Sequence, residues 1–376
     1  MYLAIREMRF AKVRYSLIAT IMLLIAFLVL FVTGLARGLA YDNAASIQNM
    51  DATHFVMEKG SNHRFTRSQL NGQALAQAGV IAGEDNVQPL GVKMTTMKAE
   101  GLAGKLDVTL LGIRPEGWLM PQVTEGEGIA TGETGDVLVD RKLKDSGIGL
   151  GTVLVDQASG LKWRVSGFVS HESFSHSPAV FLNEHDWQQL QTGTAARPEA
   201  GGAEEDGGAY SAIAVKANKH QAEQLAAELP DDEIVTKSDA VSAIPGYKEE
   251  QGSLLLMTIF LFIISLFVLA VFFYVITIQK SSQFGILKAI GTRTGYLVRS
   301  VALQVLLLSS ASLMVSILLV QAIEAVLPDG MPFRLQASTL AYTSAAFIVM
   351  TLAGSLFSVW KVTRIDALDA IGRSAA

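Results

Sequence analysis

Four long stretches of the chain are almost uninterrupted in apolar residues: 16–36 (SLIATIMLLIAFLVLFVTGLA), 254–278, 300–327 and 338–360, none with an acidic residue in its middle. A helix needs about 20 mostly apolar residues to cross the hydrocarbon core of a bilayer. One such run is compatible with a buried core helix, but four in one chain predict four membrane spans. Between the first and second runs the pattern changes to short alternating or β-rich stretches at 53–59, 105–113, 136–139, 152–156, 161–169 and 211–216, which predict strands. Segments 67–78, 183–191 and 217–229 have helical character, the last starting near Asn218 and stopping before Pro230. Residues 193–209 (GTAARPEAGGAEEDGGA) form a Gly/Ala/Glu-rich surface insertion. The expected fold class is a membrane protein with four transmembrane α-helices and a large mixed α/β extracytoplasmic domain between helices 1 and 2.

Charge orients this layout. Arg6, Arg9, Lys12 and Arg14 precede the first span, Lys280, Lys288, Arg293 and Arg299 lie between the second and third, and Lys361, Arg364 and Arg373 follow the fourth. Basic residues flanking spans are retained inside, and all three clusters fall on one side if both termini are cytoplasmic. The expected order is then a cytoplasmic segment and first span over 1–40, an outer domain over 41–250, a second span over 251–279 and a cytoplasmic coupling segment over 280–298. A third span over 299–327, an outer loop over 328–337, a fourth span over 338–360 and a cytoplasmic tail over 361–376 complete it. Residues 41–250 carry 30 acidic and 17 basic side chains, whereas the rest carries 5 and 13. The overall net charge of −5 therefore conceals an acidic outer domain and a basic cytoplasmic side. Half of the 376 residues are hydrophobic and the mean hydropathy is +0.35, in keeping with a multi-pass membrane protein. There is no cysteine, which excludes disulfides and thiolate metal sites. The first apolar run is longer than the 7–15 residues of a signal peptide's core and reads as an uncleaved anchor.

Motifs for chemistry are missing. Nothing matches the P-loop pattern: Gly101-Leu-Ala-Gly104-Lys105 is too short and lies in the outer domain. No nucleophile, acid–base pair or metal cluster has catalytic spacing, so the chain reads as a non-enzyme, and any ATP must be hydrolysed by another subunit. Two histidines in HESFSHS, His171 and His176, lack a third ligand nearby and read as solvated rather than metal-binding. Nothing points to nucleic acid. The most informative segment is 279–299 (QKSSQFGILKAIGTRTGYLVR), where Phe284, Leu287 and Ile290/Gly291 recur at three- and four-residue spacing. Such a helix suits either docking in a partner's groove or lying on anionic lipid.

The order FGILKAIG after the second span, two further spans, and the terminal KVTRIDALDAIG (361–372) resemble the ABC-transporter permease family that includes the macrolide exporters (MacB-like) and the lipoprotein-releasing and FtsX-type proteins. Within it, the opening MYLAIREMRFAKVRYSLI, the stretch LKWRVSGFVSHESFSHSPAVFLNEHDW (161–187) and residues 243–291 are most similar to the haem-exporting branch. The resemblance implies a homodimer of permeases in the lipid bilayer, driven by two copies of an ABC ATPase that binds ATP and Mg. Closure of the ATPases would be passed to the spans through a coupling segment, here Phe284, Gly285, Leu287, Lys288, Ala289, Ile290 and Gly291. It also implies a haem or porphyrin efflux pump for haem detoxification, with haem as the transported substrate and no cofactor of the permease's own. Lipoprotein release, peptide or antibiotic export, and FtsX-like signal transmission without cargo are the competing functions.

A haem exporter needs an iron ligand and a cation for the propionates. Haem iron is usually held by His, Cys, Met or Tyr, and all six histidines lie in the outer domain. At the outer mouth of the second span, Tyr247, Glu250, Leu254 and Met257 share a helical face and Glu249 lies on the next. A carboxylate close to hydrocarbon is a functional-site candidate, and in a two-fold dimer both copies would bracket one iron. Glu249 and Glu250 are thus the iron-ligand candidates, although ordinary interfacial residues occupy such positions too. Arg37 and Tyr41 end the first span on the same side and are candidates for the propionates, with Arg334 in the 328–337 loop as an alternative.

Overall fold

A computed structural model describes residues 12–130, 135–194, 209–328 and 330–363. The contacts divide the chain into a helical unit (1–38, 252–328 and 333–376) and an outer unit (39–251 with 329–332). Most of the 193–209 insertion, the N-terminal Arg6 and Arg9, and the 361–372 motif beyond Thr363 lie outside the described residues.

Among the described residues the helical unit holds four helices long and apolar enough to span a bilayer: α1 (Lys12–Asp42), α7 (Tyr247–Gln279), α9 (Thr294–Glu324) and α10 (Ala337–Thr363). On α1 the buried positions Tyr15, Ile18, Met22, Ala26 and Leu30 recur at three to four residues, while Leu17, Leu24 and Leu28 on the other side are exposed. One apolar stripe therefore packs inward and another remains for lipid. With no hydrophobic driving force between helices in lipid, small polar residues and close approach hold the bundle. Ser312 and Ser316 of α9 donate to the α1 carbonyls of Ala19 and Leu23 at 3.0 and 2.9 Å. Gly354 of α10 lies so near Ala270 of α7 that an added Cβ would sit 3.5 Å from its backbone, and one turn on Ser358 donates to Thr277 at 3.0 Å.

The outer unit is an eleven-stranded mixed sheet among the described residues: β1 (His54–Glu58), β2 (Val87–Ala99), β3 (Leu106–Ile113), β4 (Val123–Gly126), β5 (Asp136–Asp140), β6 (Val153–Asp156), β7 (Lys162–Val169), β8 (Ser173–Phe174), β9 (Ser177–Asn183), β10 (Ala212–Val215) and β11 (Asp232–Thr236). Short helices α2 (Ala45–Asn49), α3 (Gly72–Ala82), α4 (Glu184–Thr194), α5 (Lys219–Glu228) and α6 (Lys237–Ser242) flank it. The main path runs β11-β1-β10-β2-β3-β9-β5-β7-β4. Strand β2 is its hub, pairing with β10 over 87–90, with β3 over 91–97 and with β6 over 97–99. Gly91 and Gly112 face each other across β2 and β3, and the buried indole of Trp187 from α4 lies across both. A Cβ on either glycine would fall within 2.1–2.7 Å of Trp187, so only glycine admits this aromatic wedge.

Several local readings meet corrections here. The helix expected over 67–78 begins only at Gly72, because Leu70 pairs with Tyr210 and Asn71 caps the helix by accepting from the Ala74 N–H at 3.0 Å. Strands β2, β4, β8, β9 and β11 lie outside the predicted strand segments. The start near Asn218 is a full capping box with Gln221.

Candidate functional site

Tyr41 and Asp42 end α1, Tyr247, Glu249 and Glu250 begin α7, and all five belong to the outer unit. Glu250 Oε2 accepts from Asn43 Nδ2 at 2.6 Å and lies 3.0 Å from Nε2 of His176. The other ring nitrogen of His176 lies 3.4 Å from Asp42 Oδ2. Asp42 in turn pairs with Lys142 and accepts from the Ser173 hydroxyl at 2.7 Å. His176, read from sequence as solvated, is therefore set between two carboxylates. Its partners lie 134 and 74 positions away in the chain, and no local pattern carries that information.

The loop that delivers His176 is held in a demanding conformation. Ser173–Phe174 and Ser177–Pro178 pair as a hairpin whose two-residue turn is Ser175-His176, with φ of 50° and 62°. Positive φ at both central positions is the pattern of a type I′ turn, which favours Asn and Gly. For other residues the left-handed region costs about 1–2 kcal/mol each, and such strain persists where surrounding contacts over-determine it. Here they do: Ser175 N–H donates to Asn43 O at 2.7 Å and Ser173 Oγ to Asp42 O at 2.7 Å. His171, also at positive φ, adjoins Glu172. Burial is the main cause that pushes the Glu172 carboxyl up to about 8, against the opposing hydrogen bond from Asn49 at 3.0 Å. Tyr41 donates to the same Asn49 at 2.6 Å. Burial also raises Asp140, although it accepts backbone N–H bonds from Glu172 and Lys142.

The sequence-derived site residues thus separate into groups. Tyr41 and Glu250 join the network just described. Tyr247 packs against the outer-domain core and accepts from Gln48 Nε2 at 3.5 Å. Glu249 is exposed on the first turn of α7. Arg37 and Met257, in the helical unit, are both exposed, and the Arg334 backbone N–H donates to Gly34 O at 3.1 Å. Among the described residues no cluster of three or more His, Cys, Asp or Glu is arranged to hold a metal ion. A separate cleft of about 940 Å³ in the outer unit is lined in part by Trp118, Arg114 and Glu184. Its carboxylate is already held by Arg114 Nε at 2.7 Å and by the Tyr210 hydroxyl at 2.5 Å. Burial, followed by that bond to Glu184, pushes Tyr210 up to about 12.

The segment expected to couple to an ATPase forms helix α8 (Ser281–Ala289), in the helical unit. It ends at Gly291, whose φ is 94°, and the Thr292 N–H donates back to Leu287 O at 3.0 Å. This is the six-to-one bond of a Schellman cap, which places glycine at the left-handed position. Ile286 and Ile290, one turn apart, are exposed, Leu287 is half-buried and Gly285 is buried. The exposed apolar pair thus adds Ile286 to the stripe read from sequence. The side chains of Phe284 and Lys288 lie outside what is described.

The chain is similar to several known proteins. Residues 255–367 match the family described as FtsX-like permease C-terminal. Over 372 residues, 99% of each chain, the sequence is 28% identical to a putative hemin transport system permease protein HrtB of Staphylococcus haemolyticus. It is also 24% identical, over 99% of each chain, to an uncharacterised ABC transporter permease of Mycobacterium tuberculosis. Among solved structures, the periplasmic region of MacB from Actinobacillus actinomycetemcomitans is 13% identical and covers 50% of this chain and 90% of its own, with a TM-score of 0.36.

Proposed function

We propose that this chain, similar to the FtsX-like permeases of ABC transporters and hence a multi-pass, non-catalytic subunit whose ATP is hydrolysed by a partner ATPase, exports haem or a related porphyrin from the membrane to the outside. The observation that carries this reading is the likeness along essentially the full length to a relative named for hemin transport. In this reading both termini are cytoplasmic, two permeases form a homodimer, and two ATPase copies dock on α8. The apolar window of α7 is only 17% buried, against 33–44% for the other three spans, which favours α7 as the helix that meets the second copy.

The cargo site in this reading lies at the outer end of α7. Glu249, exposed on the first turn of α7, serves as the iron ligand in this reading. Glu250 then steadies the turn that carries Glu249, and Tyr247 and Met257 supply aromatic and apolar contact. Arg37 and Tyr41 are assigned to the propionates, where a guanidinium matches carboxylate geometry. The test is titration of haem into the purified permease. A shifted Soret band that disappears in Glu249→Gln and persists in Met257→Leu supports the reading. The absence of any haem-dependent spectrum would refute it and favour a lipoprotein, peptide or signal-transmitting role on the same fold.

A further inference from the structure

The segment 171–176 does more than close a hairpin. Consecutive residues of it reach the outer end of α1, the short helix after it and the first turn of α7. Glu172 is joined to Asn49, which also receives the Tyr41 hydroxyl. Ser173 donates to both the carbonyl and the carboxylate of Asp42. The backbone N–H of Ser175 donates to Asn43 O, and His176 lies between Asp42 and Glu250. Asn43 closes the ring by donating to Glu250 at 2.6 Å. The segment is rooted in the sheet, because Ser173 and Phe174 pair with β9, whose Ala179–Asn183 pair with β3. Phe174 is buried in the outer-domain core, with its ring 6.0 Å from that of Phe65.

We propose that residues 171–176 form a clasp that ties the outer ends of α1 and α7 to one another and to the central sheet, with His176 as the positioning residue that spans the two helix ends. A hydrogen-bonded bridge seated on a strained two-residue turn has little freedom to absorb displacement. A movement of α1 or α7 is therefore handed to the sheet rather than dissipated in a flexible linker. The left-handed backbone at His171, Ser175 and His176 is the conformation needed to aim these side chains at the helix ends. The neighbouring charges, Lys142 on Asp42 and Asp140 beneath the Glu172 N–H, hold the clasp's own anchors in place.

This inference rests on the reading of the chain as an ATPase-driven permease but not on the identity of its cargo, and its test is built accordingly. The chain has no cysteine, so spin labels can be placed at Lys219→Cys in α5 and Ser338→Cys in α10, both exposed positions. Their separation is measured by pulsed electron resonance in the permease–ATPase complex in lipid, with and without ATP and vanadate, alongside ATP hydrolysis and haem export. The expected result is a nucleotide-dependent change in distance that is lost in His176→Ala and in Glu250→Ala, with the double variant no worse than either. His176→Gln, whose amide still donates to Glu250, should keep most of the change, and ATP hydrolysis should continue in both His176 variants. A nucleotide-dependent change without haem export would overturn the cargo reading and leave the clasp standing. Retention of the full change in His176→Ala, or equal loss in His176→Gln, would overturn the clasp.

Discussion

The Lys280 ammonium donates to the Tyr15 hydroxyl oxygen at 2.8 Å, and that hydroxyl donates onward to Gln304 Oε1 at 2.8 Å. All three side chains are buried, and they join α1, the residue after α7 and α9 at the point where α8 begins. A buried cation and its acceptor hydroxyl are each expensive to leave unpaired. Tyr15→Phe removes both bonds while keeping the ring, and is expected to lower stability by about 1–3 kcal/mol. Thermal unfolding in detergent, with Tyr342→Phe at an exposed position as the comparison, measures this. A melting curve unchanged from the parent would show that the triad is not a structural joint.

Gly112 offers a second check, on the outer unit. Its added Cβ would lie 2.5 Å from the Trp187 ring, and overpacking of a tight core typically costs about 1–3 kcal/mol. Gly112→Ala is expected to destabilise the domain and to alter Trp187 fluorescence. Gly149→Ala, with nothing within 4 Å of its added Cβ, should do neither.

Glu172 makes stability depend on pH in a stated direction. Its carboxyl is raised from 4.5 to about 8, chiefly by burial. Below pH 4.5 it is protonated in both the folded and the unfolded chain. As pH rises from 4.5 towards 8 the unfolded chain releases this proton while the folded one retains it, so stability falls with pH. The loss is on the order of 4–5 kcal/mol once pH exceeds 8. Glu172→Gln, which can still accept from Asn49, is expected to flatten the pH profile over that window and to be the more stable form at pH 8.5. Denaturant melts at pH 5 and 8.5 decide it, and parallel profiles would count against a buried neutral Glu172.

Gly291 terminates α8 with φ of 94°. Any side chain there meets the left-handed penalty of about 1–2 kcal/mol, whereas Gly295 is an ordinary helical position with open space around its Cβ. Gly291→Ala is expected to reduce ATPase-coupled transport more than Gly295→Ala. Equal transport in the two variants would remove the cap from the coupling path.

Four spans and the place of the α/β domain between the first and second of them are legible in the chain because they rest on local causes. An apolar run of membrane length and a change of period from helical to alternating each need only neighbouring residues. Strand β2 shows the opposite case. Pro89 and Gly91 speak against a central strand, yet thirteen residues are drawn into it by β10, β3 and β6 in succession. Likewise nothing near His176 in the sequence announces Asp42 or Glu250, and nothing near Gly91 or Gly112 announces Trp187. Those relationships arise only when the sheet closes and brings distant segments within hydrogen-bonding or van der Waals range, which is why they belong to the folded molecule and not to any local pattern.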